Sequence, residues 1–247
     1  MKHHTLSVLT TIALLTSFNA QAQDNTSPSI TMSSYAANKY LAFGTGSVLT
    51  KDSVAQTDLF VSFKSGLYVD LWNSRSLTGK WNDGSFGNEV DYGAGWKGSV
   101  AKSLILNVGV TYFDEPRAFT LGAGDILYPH AFLTKEFRLL SVTVGYEDYI
   151  AMPGSGFKGG SLVSLGASWS RSFGKASLHA SFTGVYDTGT IGTSHGFIAR
   201  GCAGADWSQN DRLTLNVLGV NWFVPVTPHD KRVSNAMVFT GLTFKIK

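Results

Sequence analysis

The chain is poor in charge, in cysteine and in proline. Of its 247 residues, 15% are Asp, Glu, Lys or Arg, one is Cys and 6 are Pro. Each shortage excludes something. A lone Cys202 cannot build an internal disulfide framework. The charges nearly balance, 20 Lys and Arg against 17 Asp and Glu, so neither a nucleic acid nor an acidic substrate is an expected partner. No stretch beyond the N-terminal region approaches 18 consecutive apolar residues, which excludes a transmembrane helix. Long runs with apolar residues every three or four positions are also missing, so amphipathic helices are not the building unit.

The N-terminus carries an export signature. "MKHH" is a short basic start, "TLSVLTTIALLTSF" is uncharged and apolar, and Ala20-Gln21-Ala22 has the small-x-small cleavage pattern. Residues 1–22 read as a secretory signal peptide, with a mature chain from near Gln23. No Cys follows the cleavage site, so a lipid anchor is not expected.

What the mature chain has in quantity is a period of two. In "SLILNVGVTYF", Leu104, Leu106, Val108, Val110 and Tyr112 alternate with Asn107, Gly109 and Thr111. "LLSVTVGYED" sets Leu140, Val142, Val144 and Tyr146 against Ser141, Thr143, Gly145 and Glu147. "LVSLGASWS" and "NEVDYGAGW" repeat the pattern. The polar face is thin, mostly Ser, Thr, Gly and isolated acids. A soluble sandwich would alternate too, so three further features decide.

Connection lengths alternate: short turns near 64–66, 97–102, 135–138, 172–175 and 208–212, longer links near 46–57, 73–87, 114–125, 148–160, 187–195 and 224–236. Outer-membrane barrels are built this way, with short periplasmic turns and long external loops. Aromatics sit at strand ends, with Phe63, Trp96, Trp169 and Trp207 before short turns and Tyr112, Tyr146, Tyr186 and Phe223 before long ones. This is the sequence form of two interfacial girdles. The chain also ends in a strand, "MVFTGLTFKIK", whose Gly241-x-x-Phe244-x-Ile246 spacing resembles the C-terminal signal read by the barrel assembly machinery, although Lys247 replaces the usual final aromatic.

These features predict an all-β fold, a transmembrane antiparallel up-and-down β-barrel of about twelve strands, each near the ~9–11 residues that a tilted membrane strand needs. The expected organisation is a short periplasmic tail at 23–35 and one barrel domain at 36–247, with both termini on the short-turn side. Outer-membrane lipids and lipopolysaccharide are the expected surroundings.

The stretches "SFKSGLYVDLWNS", "GNEVDYGAGWKG" and "LNVGVTYFDEP" resemble successive strands of the TorF family of porin-like proteins. The likeness covers roughly residues 58–130. The first strand, read at "NKYLAFGTGSVL", departs from the family by lacking an Arg-rich pattern. The resemblance implies an outer-membrane porin and supplies no catalytic residues.

His179 and Ser181 lie two apart in "SLHASFTGVYD", and "HASFTG" is similar to the His-x-Ser-Asn-Gly pattern of an outer-membrane phospholipase family. That dyad must face lipid. Here Leu178, Ala180 and Phe182 form the apolar face, so His179 and Ser181 are expected to face the lumen, and the Asn-Gly is absent. Lining rather than catalysis follows. "GTSHG" (192–196) lacks the strand-turn-helix context of a nucleophile elbow, and "GSGFKG" (154–159) lacks that of a dinucleotide loop. His130, His179 and His195 have no metal-ligand spacing. No catalytic residue, metal or cofactor is expected.

Strand parity points Asp70, Glu89, Asp91, His130, Glu147, His179, Arg200 and Asp206 into the lumen, with Pro129 disturbing the strand that carries His130. Arg200 is the one basic group placed mid-strand and requires an inward acid as partner. Such groups either pair to fill a narrow barrel or form a constriction for small polar solutes. The leading expectation is passive diffusion of small polar solutes or ions through a narrow, weakly cation-preferring lumen. The alternatives are a non-conducting structural or surface-interaction barrel and, third, a lipid-modifying enzyme.

Overall fold

The structure, a computed structural model, describes residues 27–42, 44–78, 88–114, 125–153, 158–190, 195–227 and 233–246. The signal region lies outside these residues, as do the cores of "GSGFKG" and "GTSHG".

Alternation produces strands throughout. They are β1 (Ser29–Ala37), β2 (Tyr40–Leu41), β3 (Val48–Thr50), β4 (Val54–Ser62), β5 (Leu67–Ser76), β6 (Glu89–Ala101) and β7 (Leu104–Asp114). The second half adds β8 (Ile126–Glu136), β9 (Ser141–Ala151), β10 (Gly160–Phe173), β11 (Ala176–Asp187), β12 (Gly196–Ser208), β13 (Leu213–Pro225) and β14 (Asn235–Ile246). Twelve of them close into an antiparallel barrel, sealed where β1 pairs with β14 from Ile30↔Ile246 to Ala37↔Phe239. Closure leaves no strand edge to face lipid, as a bilayer requires. Turns between β4 and β5, β6 and β7, β8 and β9, β10 and β11, and β12 and β13 are short. They share one end of the barrel with the start of β1 and the end of β14.

Burial follows the alternation. On β9, Val144, Tyr146 and Ile150 are exposed outward while Ser141, Thr143, Glu147 and Tyr149 are buried inward. On β11, Leu178, Phe182 and Tyr186 face out while His179, Thr183 and Val185 face in. Exposed aromatics mark both rims of the apolar band: Phe63, Trp169 and Trp207 toward the short turns, Tyr92, Tyr146, Tyr186 and Phe197 toward the long loops.

Three placements differ from the sequence reading. First, the barrel begins at Ser29, so much of the segment read as a periplasmic tail is strand β1. Second, "NKYLAFGTGSVL" is no wall strand; it holds β2 and β3, a two-stranded sheet apart from the barrel. Third, Phe223 is buried inside rather than in the outer girdle. The cause is a bulge in β13, where Val217 and Leu218 both face out and the register against β14 shifts between Asn216 and Gly219. A bulge reverses inside and outside for every later residue of its strand. Trp222 consequently faces out, packed near Phe182 with ring centroids 5.9 Å apart.

Candidate functional site in the barrel lumen

All eight residues assigned to the lumen by parity face it. Glu89, Asp91, His130, Glu147, His179, Arg200 and Asp206 are buried, and Asp70 is partly so. Pro129 leaves the inward aim of His130 intact, because its ring lies on the outward face of β8, in register with Val110.

The structure gathers them into separate groups. Arg200 Nη2 lies 3.5 Å from Glu147 Oε1, the inward acid that its burial demands. Tyr128 donates to the other oxygen of Glu147 at 2.7 Å. Tyr128 in turn packs against Tyr149, centroids 4.9 Å apart, and near Phe113. His179 Nδ1 lies 3.3 Å from Asp206 Oδ2. Glu89 accepts a 2.6 Å bond from Tyr40, with Asp91 two residues on along the same inward face. His130 is reached by the Tyr68 hydroxyl at 3.2 Å, which also donates to Asn107 at 3.1 Å. Tyr68 can lie across β6 and β7 because Gly95 and Gly109 have no side chain; a Cβ at either would collide with its hydroxyl.

Asp58 and Lys97 were not anticipated. Asp58 is buried on β4, with Asp70 as a nearby carboxylate on β5. It falls one residue beyond the stretch read as a loop, and alternation from Phe60 would have found it. The sequence pattern puts Lys97 at the start of the short turn near 97–102. In the structure β6 runs on to Ala101, and Lys97 faces inward with Glu136 as a nearby acid.

The segment between β1 and β4 enters the lumen from the long-loop end. It turns through bonds from Ala42 N to the Ser47 oxygen at 2.7 Å and from Gly46 N to the Ala42 oxygen at 2.8 Å. Tyr40 packs on Trp72 with ring centroids 5.6 Å apart. A Cβ on Gly44 would strike Leu162 and Tyr149, and one on Gly46 would strike Phe223. Strands β5, β6, β9, β10 and β13 are thus all touched by one hairpin. Around it Leu41, Val54, Ile126, Leu162, Val185, Ile198, Met237 and Phe239 form a buried apolar cluster.

Toward the short turns the lining changes to hydroxyls and amides. Ser33 bonds Thr243 at 3.0 Å, Thr243 bonds Asn216 at 3.3 Å, and Asn216 donates to Asp206 at 2.8 Å. With the His179–Asp206 pair, this belt joins five adjacent strands, from β1 through β14, β13 and β12 to β11. Ser141 with Ser168 at 2.7 Å and Thr134 with Thr143 at 2.8 Å extend the lining over β8 to β10. Among the described residues no three His, Cys, Asp or Glu side chains are placed to hold a metal ion. His179 and Ser181 look into this polar zone, away from lipid.

No family model and no curated protein matches the sequence. Solved structures match the fold. KdgM porin aligns over 89% of this chain and 99% of its own, at 10% identity and a TM-score of 0.56, and has also been solved in complex with disordered oligogalacturonate. NanC porin aligns over 87% of this chain and 100% of its own, at 8% identity and a TM-score of 0.57. The translocator domain of the autotransporter NalP from Neisseria meningitidis aligns over 90% and 89%, at 12% identity and a TM-score of 0.52. At these identities the likeness is one of fold, an outer-membrane type of twelve-stranded barrel that serves both porins and a translocator.

Proposed function

We propose that this chain is an outer-membrane channel of the porin type, passing small polar solutes or ions through a narrow, weakly cation-preferring lumen. The observation that carries the reading is the distribution of charge among the described inward residues. Asp58, Asp70, Glu89 and Asp91 gather on one wall, while Arg200 is matched by Glu147 on the other side. An acidic lining raises the local concentration of cations and lowers that of anions. Oligogalacturonate, the molecule in one KdgM complex, is a polyanion; the acidic wall here favours neutral or positively charged solutes instead. Lys97 and Arg200 keep the preference weak.

The finer assignment to the TorF family is supported by the motifs of residues 58–130. An export signal at 1–22, an outer-membrane location among lipids and lipopolysaccharide, and delivery to the assembly machinery through β14 complete the proposal. No residue is assigned a catalytic role.

Reversal potentials in planar bilayers under a KCl gradient test the reading, with weak cation selectivity expected. A pore that prefers anions overturns it. The second reading, a non-conducting structural barrel, is favoured by the complete burial of Glu147, Leu162 and Val185 within the lumen. Absence of conductance from the intact chain and from one lacking residues 40–50 would establish that alternative.

A further inference from the structure

We infer that the outer surface of the barrel at the short-turn end of β8 to β10 binds the phosphate headgroup of an anionic phospholipid, with Arg171 and Arg138 as its two cations. The inference rests on the membrane reading of the barrel and is independent of conduction.

Alternation carries Arg171 outward. Ser164 and Ser168 of β10 are buried inside, so Trp169, Arg171 and Phe173 share the lipid-facing side of the strand. Trp169 marks the rim of the apolar band. Two residues past it along a tilted strand, about 5 Å, is headgroup depth. The Arg171 guanidinium lies over the Phe173 ring, 5.1 Å from its centroid. Stacking fixes the plane of the guanidinium and turns its N–H edge toward an acceptor beside the ring.

The acids of this end of the barrel are engaged elsewhere. Arg171 stands in register with Leu178 of β11. Glu136, at the end of β8, is in register with the inward Ser141 and lies near Lys97 in the lumen. Asp211, in the turn between β12 and β13, lies near Lys245. Lys135 is exposed, but its ammonium donates to the Lys102 carbonyl at 2.9 Å.

The turn beside β10 adds a second cation in an apolar setting. Ser141 pairs with Ser168, so the chain preceding Ser141 adjoins Trp169 and Arg171. Phe137 N bonds the Leu140 oxygen at 2.8 Å, closing a hairpin whose tip is Arg138-Leu139. Leu139 is 72% exposed and Phe137 57%. Other short turns carry polar tips, such as Lys64-Ser65-Gly66 and Ser208 to Arg212. Uncovered apolar side chains mark a contact surface, and the basic groups among them select its sign.

The chemistry names the occupant. Arginine takes a phosphate through two parallel N–H bonds, and the neighbouring carbon covers acyl chains. A zwitterionic headgroup would bring its own cation toward two guanidinium groups, whereas an anionic phosphodiester brings uncompensated charge. The short turns lie on the periplasmic side, so the lipid is a glycerophospholipid of that leaflet.

Native mass spectrometry of the detergent-solubilised full chain tests the site, by titration with dioleoyl phosphatidylglycerol and separately with dioleoyl phosphatidylcholine. The first phosphatidylglycerol should bind about tenfold tighter, since each basic side chain at a membrane surface is worth roughly fivefold for an anionic lipid. The double variant Arg171→Gln with Arg138→Gln should bring the two lipids within about twofold, and Arg171→Gln alone should remove several-fold of the preference. Lys64→Gln, in a turn on the opposite side of the barrel, should leave it unchanged. Heat-modifiable migration on gels identifies the folded variants, and the single variant decides if the double does not fold. Equal affinity of the parent chain for the two lipids overturns the inference, as does a preference that persists in the folded variants. Displacement of phosphatidylglycerol by equimolar inorganic phosphate would assign the site to a free anion, and displacement by an oligoglutamate peptide would assign it to an acidic protein; either overturns it. Insertion into phosphatidylcholine vesicles tests the membrane reading separately, so a chain that inserts and shows no lipid preference sinks only this inference.

Discussion

The outer half of the lumen packs an apolar cluster beside its acidic wall, whereas the inner half is lined mainly with hydroxyls and amides. Toward the long loops, Leu162, Val185, Ile198, Phe223 and Met237 close around an inserted hairpin and shield the Arg200–Glu147 pair. Toward the short turns, Ser33, Thr243, Asn216 and Asp206 pass hydrogen bonds from strand to strand. The same strands build both zones, so wall geometry does not cause the difference. It comes from what the inward positions carry and from a segment of chain folded in at one end only. A packed apolar zone resists water, whereas a hydroxyl belt can exchange its bonds with a hydrated solute. The outer zone is therefore where passage is restricted, and the inner zone is a vestibule.

The largest test of this contrast removes the hairpin. Replacing residues 40–50 with a short Gly-Ser link should raise single-channel conductance several-fold while the barrel still folds, since every wall strand is kept. Unchanged conductance would mean that the outer zone is not the barrier. Next comes Arg200→Ala, which leaves Glu147 buried with Tyr128 as a donor and no cation. Denaturant titration should show a loss of about 3–5 kcal/mol, and reversal potentials a stronger cation preference. Leu162→Ala, in the zone packed like a protein core, should cost about 2–5 kcal/mol through the cavity it opens. Ser168→Ala, in the hydroxyl belt, should cost only about 0.5–1.5 kcal/mol. Equal costs for the last two would erase the distinction between the zones.

Much of the wall was legible in the sequence because a membrane strand has two solvents. Lipid on one side and a polar lumen on the other write alternation into β7, β9, β10 and β11, and the eight inward groups followed from it. The alternating turn and loop lengths placed the ends. What failed had local causes. Strand β1, "SITMSSYAA", puts Ser34 and Ala36 on its outer face, so the contrast between faces is faint. Beside it, "NKYLAFGTGSVL" carries more carbon, and nothing in its pattern separates a strand facing lipid from a hairpin buried in a lumen. Phe223 was misplaced by the bulge at Val217 and Leu218, where an additional outward residue looks like ordinary variation. The pairings of Arg200 with Glu147 and His179 with Asp206 depend on register between strands, which period alone does not give.

The β1–β14 seam also sets a clock. Elsewhere around the wall, neighbours in space are neighbours in sequence, joined by turns or single loops. The bond between Ser33 and Thr243 joins residues 210 apart in the chain. Local hairpins form in microseconds, but a contact of that span must wait for the whole intervening chain to be in place. The growing sheet keeps two unpaired edges until its final 12-residue strand docks. Assembly is therefore a series of quick zippering steps ended by one slow latch, and a chain stopped short of β14 has an open sheet as its end state.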